Sequence, residues 1–230
     1  MKNKKFIILQ FLFLNLIFFN AFALDQFNFE ITEIEITENG NLYKGKKRGE
    51  IVSNDGITIK ANNFEYIKDL NILKANGNVE IFDTTNNIEI YTSSITYNKN
   101  ENKIFTKIKS KAINKNNGLI IDAKEFQYNR NKNKIIAKYE VEIIDNINDI
   151  KINSDLITYF KDEEKFFSTG KTSALIYSKY NFESEDTKFL RNSMELTSKK
   201  SSKITFNLSL FVILITAIIT INETFSVSRE

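Results

Sequence analysis

Hydrophobic and polar residues alternate along most of this chain with the period of two expected of a half-buried strand. The pattern is clear in Leu73-x-Ala75-x-Gly77-x-Val79-x-Ile81 and in Ile135-x-Ala137-x-Tyr139-x-Val141-x-Ile143. It also repeats. Ile59-x-Ala61-x-x-Phe64-x-Tyr66 recurs as Ile90-x-Thr92-x-x-Ile95-x-Tyr97, as Ile121-x-Ala123-x-x-Phe126-x-Tyr128 and as Ile152-x-Ser154-x-x-Ile157-x-Tyr159, 31 residues apart each time. Asn71, Asn102 and Asn133 open the second half of the unit, with Leu73, Ile104, Ile135 and Phe166 in the same register, and a degenerate fifth copy starts at Phe182-x-Ser184.

Each unit reads as two strands of about ten residues, long against the usual five or six. Polar tetrads such as Lys68 to Asn71 and Lys99 to Asn102 supply the turns, because Asn and Asp tolerate the left-handed region and bond their own backbone. Between Ala61 and Phe64 the apolar spacing is three rather than two, and the slip recurs in every copy. An extra residue at a bulge kinks a strand and re-aims the side chains beyond it, so a bend that restores the inward face is the simplest account. The expected fold is all-β: stacked two-strand repeats curling into a trough, with one apolar lining and one polar face. Its open ends would need a cap or a partner.

The termini read differently. Lys2, Lys4 and Lys5 precede an uncharged run from Phe6 to Asn20 and then Ala21-Phe22-Ala23, the form of a signal helix with its cleavage site, so residues 1–23 are expected to be a signal peptide of an exported protein. Without them, the 32 basic residues fall to 29 and face 29 acidic ones. A near-neutral chain with interspersed charge lacks the basic stripe of a nucleic-acid binder. Residues 204–222 are uncharged, just long enough for a membrane-spanning helix. Three readings of this hydrophobic tail (204–230) stand open: a membrane anchor, a strand added to the sheet, or a frameshifted end of a longer barrel protein.

No catalytic residue, cofactor or metal is expected. The chain has no Cys and no His, so Ser-His and Cys-His nucleophile arrangements are excluded. Glu163-Glu164 and Glu183 with Glu185 sit in turn-like or solvent-facing positions, and the spacing of Asp145, Asp149 and Asp155 does not match a calcium loop. The one basic cluster of the chain beyond the signal peptide, Lys44 to Arg48, with Lys46, Lys47 and Arg48 between Gly45 and Gly49, reads as a loop in which those three are candidate phosphate contacts.

The repeated Ala61-x-x-Phe64-x-Tyr66 followed by Leu73-x-Ala75-x-Gly77-Asn78-Val79-x-Ile81-x-Asp83 resembles the signature of the OstA family, the periplasmic lipopolysaccharide-transport jellyroll domains. Within it, Phe27 to Lys203 is most similar to the periplasmic N-terminal domain of the outer-membrane lipopolysaccharide-assembly members, the organic solvent tolerance proteins. The resemblance implies that residues 24–203 form a curved antiparallel β-jellyroll, in the periplasm and associated with the outer membrane. Its apolar interior would hold lipopolysaccharide acyl chains, and like domains would join it edge to edge. The lining residues that would meet a lipid are Ile59, Phe64, Tyr66, Val79, Ile81, Ile95, Tyr97, Ile104, Phe126, Tyr128, Val141, Ile157 and Tyr159. The alternative is a structural or adhesion-type β-solenoid with a sealed core, in which the tyrosine ladder only fills space.

Overall fold

The computed structural model describes residues 27–206 and two further short strands, Ala217–Ile219 and Phe225–Ser226. The expected signal peptide and most of the hydrophobic tail lie outside the described residues. Among the described residues no helix is long and apolar enough to cross a membrane.

The chain is an antiparallel meander of long strands, each bent near its middle. β1 (Phe27–Glu30) and β2 (Glu33–Thr37) are the halves of the first, β3 (Leu42–Lys46) and β4 (Gly49–Ser53) of the second, β5 (Ile57–Ala61) and β6 (Asn63–Ile67) of the third. β7 (Ile72–Asp83) and β8 (Ile88–Asn98) run through the bend unbroken. β9 (Lys103–Thr106) with β10 (Ser110–Asn114), and β11 (Leu119–Ala123) with β12 (Glu125–Asn129), are split again. β13 (Lys134–Asp145), β14 (Ile150–Phe160) and β15 (Lys165–Ile176) are continuous, while β16 (Tyr180–Glu185) with β17 (Thr187–Leu190), and β18 (Glu195–Ser198) with β19 (Ser202–Phe206), are split again, and the short strands Ala217–Ile219 and Phe225–Ser226 pair with β19 and β18. The sequence predicts two kinked strands per unit; in the first three units one of the two is interrupted at the bend, and in the fourth both run through it.

Each half pairs with the matching halves of its neighbours. β5 lies on the second half of β7 (Ile59↔Ile81) and β6 on its first half (Tyr66↔Leu73). By this rule the sheet folds along the line of bends into two layers. The first holds β1, β4, β5, β10, β11, β16 and β19; the second holds β2, β3, β6, β9, β12, β17 and β18; the unbroken strands serve both. Aromatic contacts show the two faces packed together: Phe27 of β1 meets Tyr66 of β6 edge-on at 5.1 Å between ring centres. The architecture is thus a curved antiparallel β-jellyroll.

The three-residue slip is the bend itself. Register shifts fall between Asn76 and Val79, between Lys138 and Val141 and between Ser154 and Leu156. Gly77 (φ 77°) and Gly170 (φ 81°) occupy the left-handed positions that a bulge of this kind needs. The bulge carbonyls accept from the neighbouring bend, Asn62 N to Gly77 O at 2.9 Å and Asp186 N to Gly170 O at 3.2 Å. Residues on both sides of the slip, such as Ala61 and Phe64, are buried. The re-aimed chain therefore keeps one face inward through the corner.

The turns are equally regular. Asn71, Asn102 and Asn133 adopt φ of 52°, 50° and 43°, and each donates its amide to a side chain one unit on: Asn100, Asn131 and Asp162, at 2.9–3.0 Å. Ile204, Thr205 and Phe206, which the sequence counted with the tail, lie in β19 and pair with β16.

Candidate functional site

All thirteen residues expected to line a lipid site point inward and are buried. They form one continuous core rather than an open trough, because the two layers close on each other along their length. The void lined by Ile88, Ala112, Leu119, Ile121 and Tyr159 is too small for a water molecule. The tyrosine ladder fills the core with its rings and delivers its hydroxyls to the edge opposite the bends. Tyr97 donates to Asn102 at 2.9 Å, and Tyr128 to Asp83 at 2.8 Å. A buried phenol normally finds such a partner.

That edge is closed by polar latches between the layers. Asp83, at the end of β7 in the first layer, is fully enclosed and accepts from Arg130 Nε at 2.8 Å. Arg130 also reaches Asp55 at 2.7 Å, and Lys99 reaches the same carboxylate at 2.5 Å. Two units further on, Arg191 binds Asp145 at 2.6 Å and Glu164 at 3.3 Å. Between them Asn114 donates to the Tyr159 hydroxyl at 3.0 Å. Asp83, Asn114 and Asp145 stand one repeat apart, so the latch is a feature of the unit. Its partners lie about 45 residues away in sequence, and no local motif marks them.

Electrostatics keep the latches ionised. Burial opposes the charge on Asp55, but hydrogen bonds from Lys99, Ser53 and Arg130 outweigh it and bring its pKa down to about 2. Asp83 and Asp145 are lowered in the same way, burial being overcome by Arg130 and by Arg191. Burial pushes the Tyr97 phenol up to about 12 and raises Tyr128 and Tyr159 as well.

Among the described residues, the inner apolar row reaches solvent most openly at the N-terminal end. At the N-terminal end β2 pairs only with β3, and Ile34 and Ile36 stand opposite Gly45 and Tyr43, which in turn pair with Phe64 and Tyr66. They continue the inner apolar row yet are 40% and 55% exposed. Phe29, Ile31 and Tyr43 are partly buried against the same core. Ile31 fills the bend between β1 and β2, where a Cβ on Gly45 or Gly49 would come within 2.8 Å of its side chain. In the sequence Phe29-x-Ile31-x-x-Ile34-x-Ile36 carries the same alternation and three-residue slip as the repeats, which gives the parity of these residues and not their exposure.

Lys46, Lys47 and Arg48 lie in the bend beside the mouth. Each faces a carboxylate: Lys46 with Glu35 at 3.6 Å, Lys47 with Glu33, and Arg48 with Glu80 at 2.6 Å. These three side chains are therefore each balanced by a carboxylate. A cleft of about 1070 Å³ lies on the outer face of the first layer, lined by the outward-pointing Glu142, Asn153, Ser173, Glu183 and Lys203. Its walls mix charged side chains of both signs and hydroxyls with apolar surface such as that of Val141.

No protein family description matches the sequence, and no curated protein matches it. Among solved structures, the chain is similar to LptH, the LptA-homologous periplasmic component of the lipopolysaccharide transport device of Pseudomonas aeruginosa. That similarity has 9% identity over 58% of this chain and 75% of that one, with a TM-score of 0.26. A likeness of that size carries no argument about ligand or partner.

Proposed function

We propose that the protein is a lipopolysaccharide-binding periplasmic module, acting by holding and passing a lipid rather than by chemistry. The observation that carries the reading is the N-terminal mouth, where the inner apolar row reaches solvent through Ile34 and Ile36. Acyl chains entering there would continue the row of Phe64, Tyr66 and Tyr97 by parting the layers, since the interior has no ready space. Head-group phosphates would meet Lys46, Lys47 and Arg48 in exchange for their glutamates. The resemblance of the repeat to the OstA signature supports the same ligand. The mouth also ends in the strand edges of β1 and β2, and a similar jellyroll domain adding strands there would join its interior to this one. Such a stack would hand lipid along toward the outer membrane.

One observation favours a second reading, a structural β-solenoid without ligand: the core beyond the mouth is filled. Photo-crosslinking distinguishes the two. Probes at Ile36 and Phe126 are expected to capture lipopolysaccharide in isolated membranes, and Ile36→Asp to suppress capture at Phe126 without lowering the melting temperature. Adducts confined to an outward position such as Lys68, or none at all, would leave the sealed solenoid.

A further inference from the structure

The outer line of the bends has a feature that neither the core nor the mouth uses. The repeat places Gly77, Ile108, Tyr139 and Gly170 at equivalent bend positions, 31 residues apart. Two of them are apolar and turned outward: Ile108 is 44% exposed and Tyr139 58%. Tyr139 holds φ 62°, and the next residue, Glu140, φ 52°. A bulky residue in the left-handed region is strained where glycine is not, and the fold accepts glycine at this corner in two other copies. The strained exposed ring thus gains nothing for folding.

The charge around it is distinctive too. Lys107 and Lys109 flank Ile108 in the bend, and Lys111 follows on β10; all three are exposed and, among the described residues, none forms an ion pair within 4.0 Å, although the charges of Lys109 and Lys111 are both felt by Asp122. Most strand lysines nearby are neutralised, as Lys138 is by Glu125 at 3.3 Å and Lys115 by Glu89 at 3.3 Å. Lys124 lies between the two apolar residues, its amide bonded to the Tyr139 carbonyl at 3.1 Å and its ammonium paired with Glu140. Asp122 faces Lys111 across the strand pair, and Glu142 beyond it is paired with Lys151 at 2.5 Å. Against Glu140, Asp122 and Asp155, the last opposite the Tyr139 bulge on β14, stand four lysines, so the ridge keeps a small net positive charge concentrated around Ile108. Ile108 and Tyr139 are separated by one intervening strand, roughly 10 Å at normal strand spacing, and a shallow hollow lined by Lys109, Lys111, Lys124 and Glu140 lies beside them.

We propose that this ridge docks on an anionic lipid bilayer, with Ile108 and Tyr139 entering the interfacial region and Lys107, Lys109 and Lys111 meeting lipid phosphates. Tyrosine suits that depth, having an apolar ring and a polar tip, and lysines beside an anionic surface each strengthen binding. The inference is independent of what the interior holds.

The test is co-sedimentation of the full chain with vesicles of phosphatidylcholine alone or mixed with phosphatidylglycerol, at low and high salt. Binding is expected only to the anionic vesicles, and to fall with salt. The triple variant Lys107→Gln, Lys109→Gln, Lys111→Gln is expected to lose on the order of a hundredfold in affinity, about fivefold per lysine. Ile108→Ser with Tyr139→Gly is expected to lose about tenfold through the apolar surface no longer buried. It should melt no lower than the parent, because glycine relieves the left-handed backbone. Equal binding to neutral and anionic vesicles, as the hydrophobic tail alone would give, overturns the proposal. Parent-like binding by either variant does so as well.

Discussion

Asp83 and Arg130 show what single side chains do at the closed edge. An ionised carboxylate with no exposed surface is tolerated only because Arg130, Tyr128 and Asn86 all donate to it. Removing one partner of a buried pair costs far more than the pair contributes, since the other charge stays desolvated. Arg130→Met is therefore expected to cost about 3–5 kcal/mol in chemical denaturation, while Asp83→Leu with Arg130→Met recovers most of the loss. A double variant as unstable as the single one would show that the latch stabilises by more than compensating its own burial.

At the scale of the strand, the bend decides the fold. Its inner side carries small residues in the odd copies, Ala61 with Ala75 and Ala123 with Ala137, all buried. In the even copies hydroxyls take the same positions and satisfy one another: Thr92, Thr106 and Ser110 interlink at 2.8–3.3 Å, and Ser154, Thr172 and Ser168 at 2.6–3.2 Å. A branched side chain at an alanine position would force the layers apart at the corner. Ala137→Leu is expected to destabilise by about 1–3 kcal/mol, read as a lower midpoint in urea with an unchanged slope. The same substitution at the outward Lys138 should be near neutral.

For the whole molecule the latches set the pH range of stability. Asp55, with a folded pKa of about 2 against 3.8 for the free group, contributes stability that is present above 3.8 and lost as pH falls through 2. Asp83 and Asp145 act in the same direction. Asp122, raised by burial, works the other way and costs stability above its free value. Tyr97 contributes below 10.0, and its share is lost as pH rises from there through about 12. The melting temperature is expected to stay level from about pH 4 to 10 and to fall on both sides. A steep change near neutrality would show that the latches do not control it.

Local chemistry written into the sequence covers a good deal of this. Period-two alternation fixes strands whatever surrounds them, the turn asparagines reach positive φ through their own short amides, and the three-residue slip from Ala61 to Phe64 can be absorbed only by a bend. The inward direction of Phe64, Tyr97 and Phe126 comes from the same parity. What alternation could not say is how far the two bent halves would close, because that depends on the volume of side chains brought together from different units. Only the tertiary structure turns an expected trough into a filled core. Only it pairs Asp83 with Arg130 across 47 residues, spends the charge of Lys46, Lys47 and Arg48 on glutamates, and leaves Ile34, Ile36, Ile108 and Tyr139 in the open. Parity belongs to the strand and can be counted along it; closure, ion pairing and exposure belong to contacts between units, which no position along the chain specifies alone.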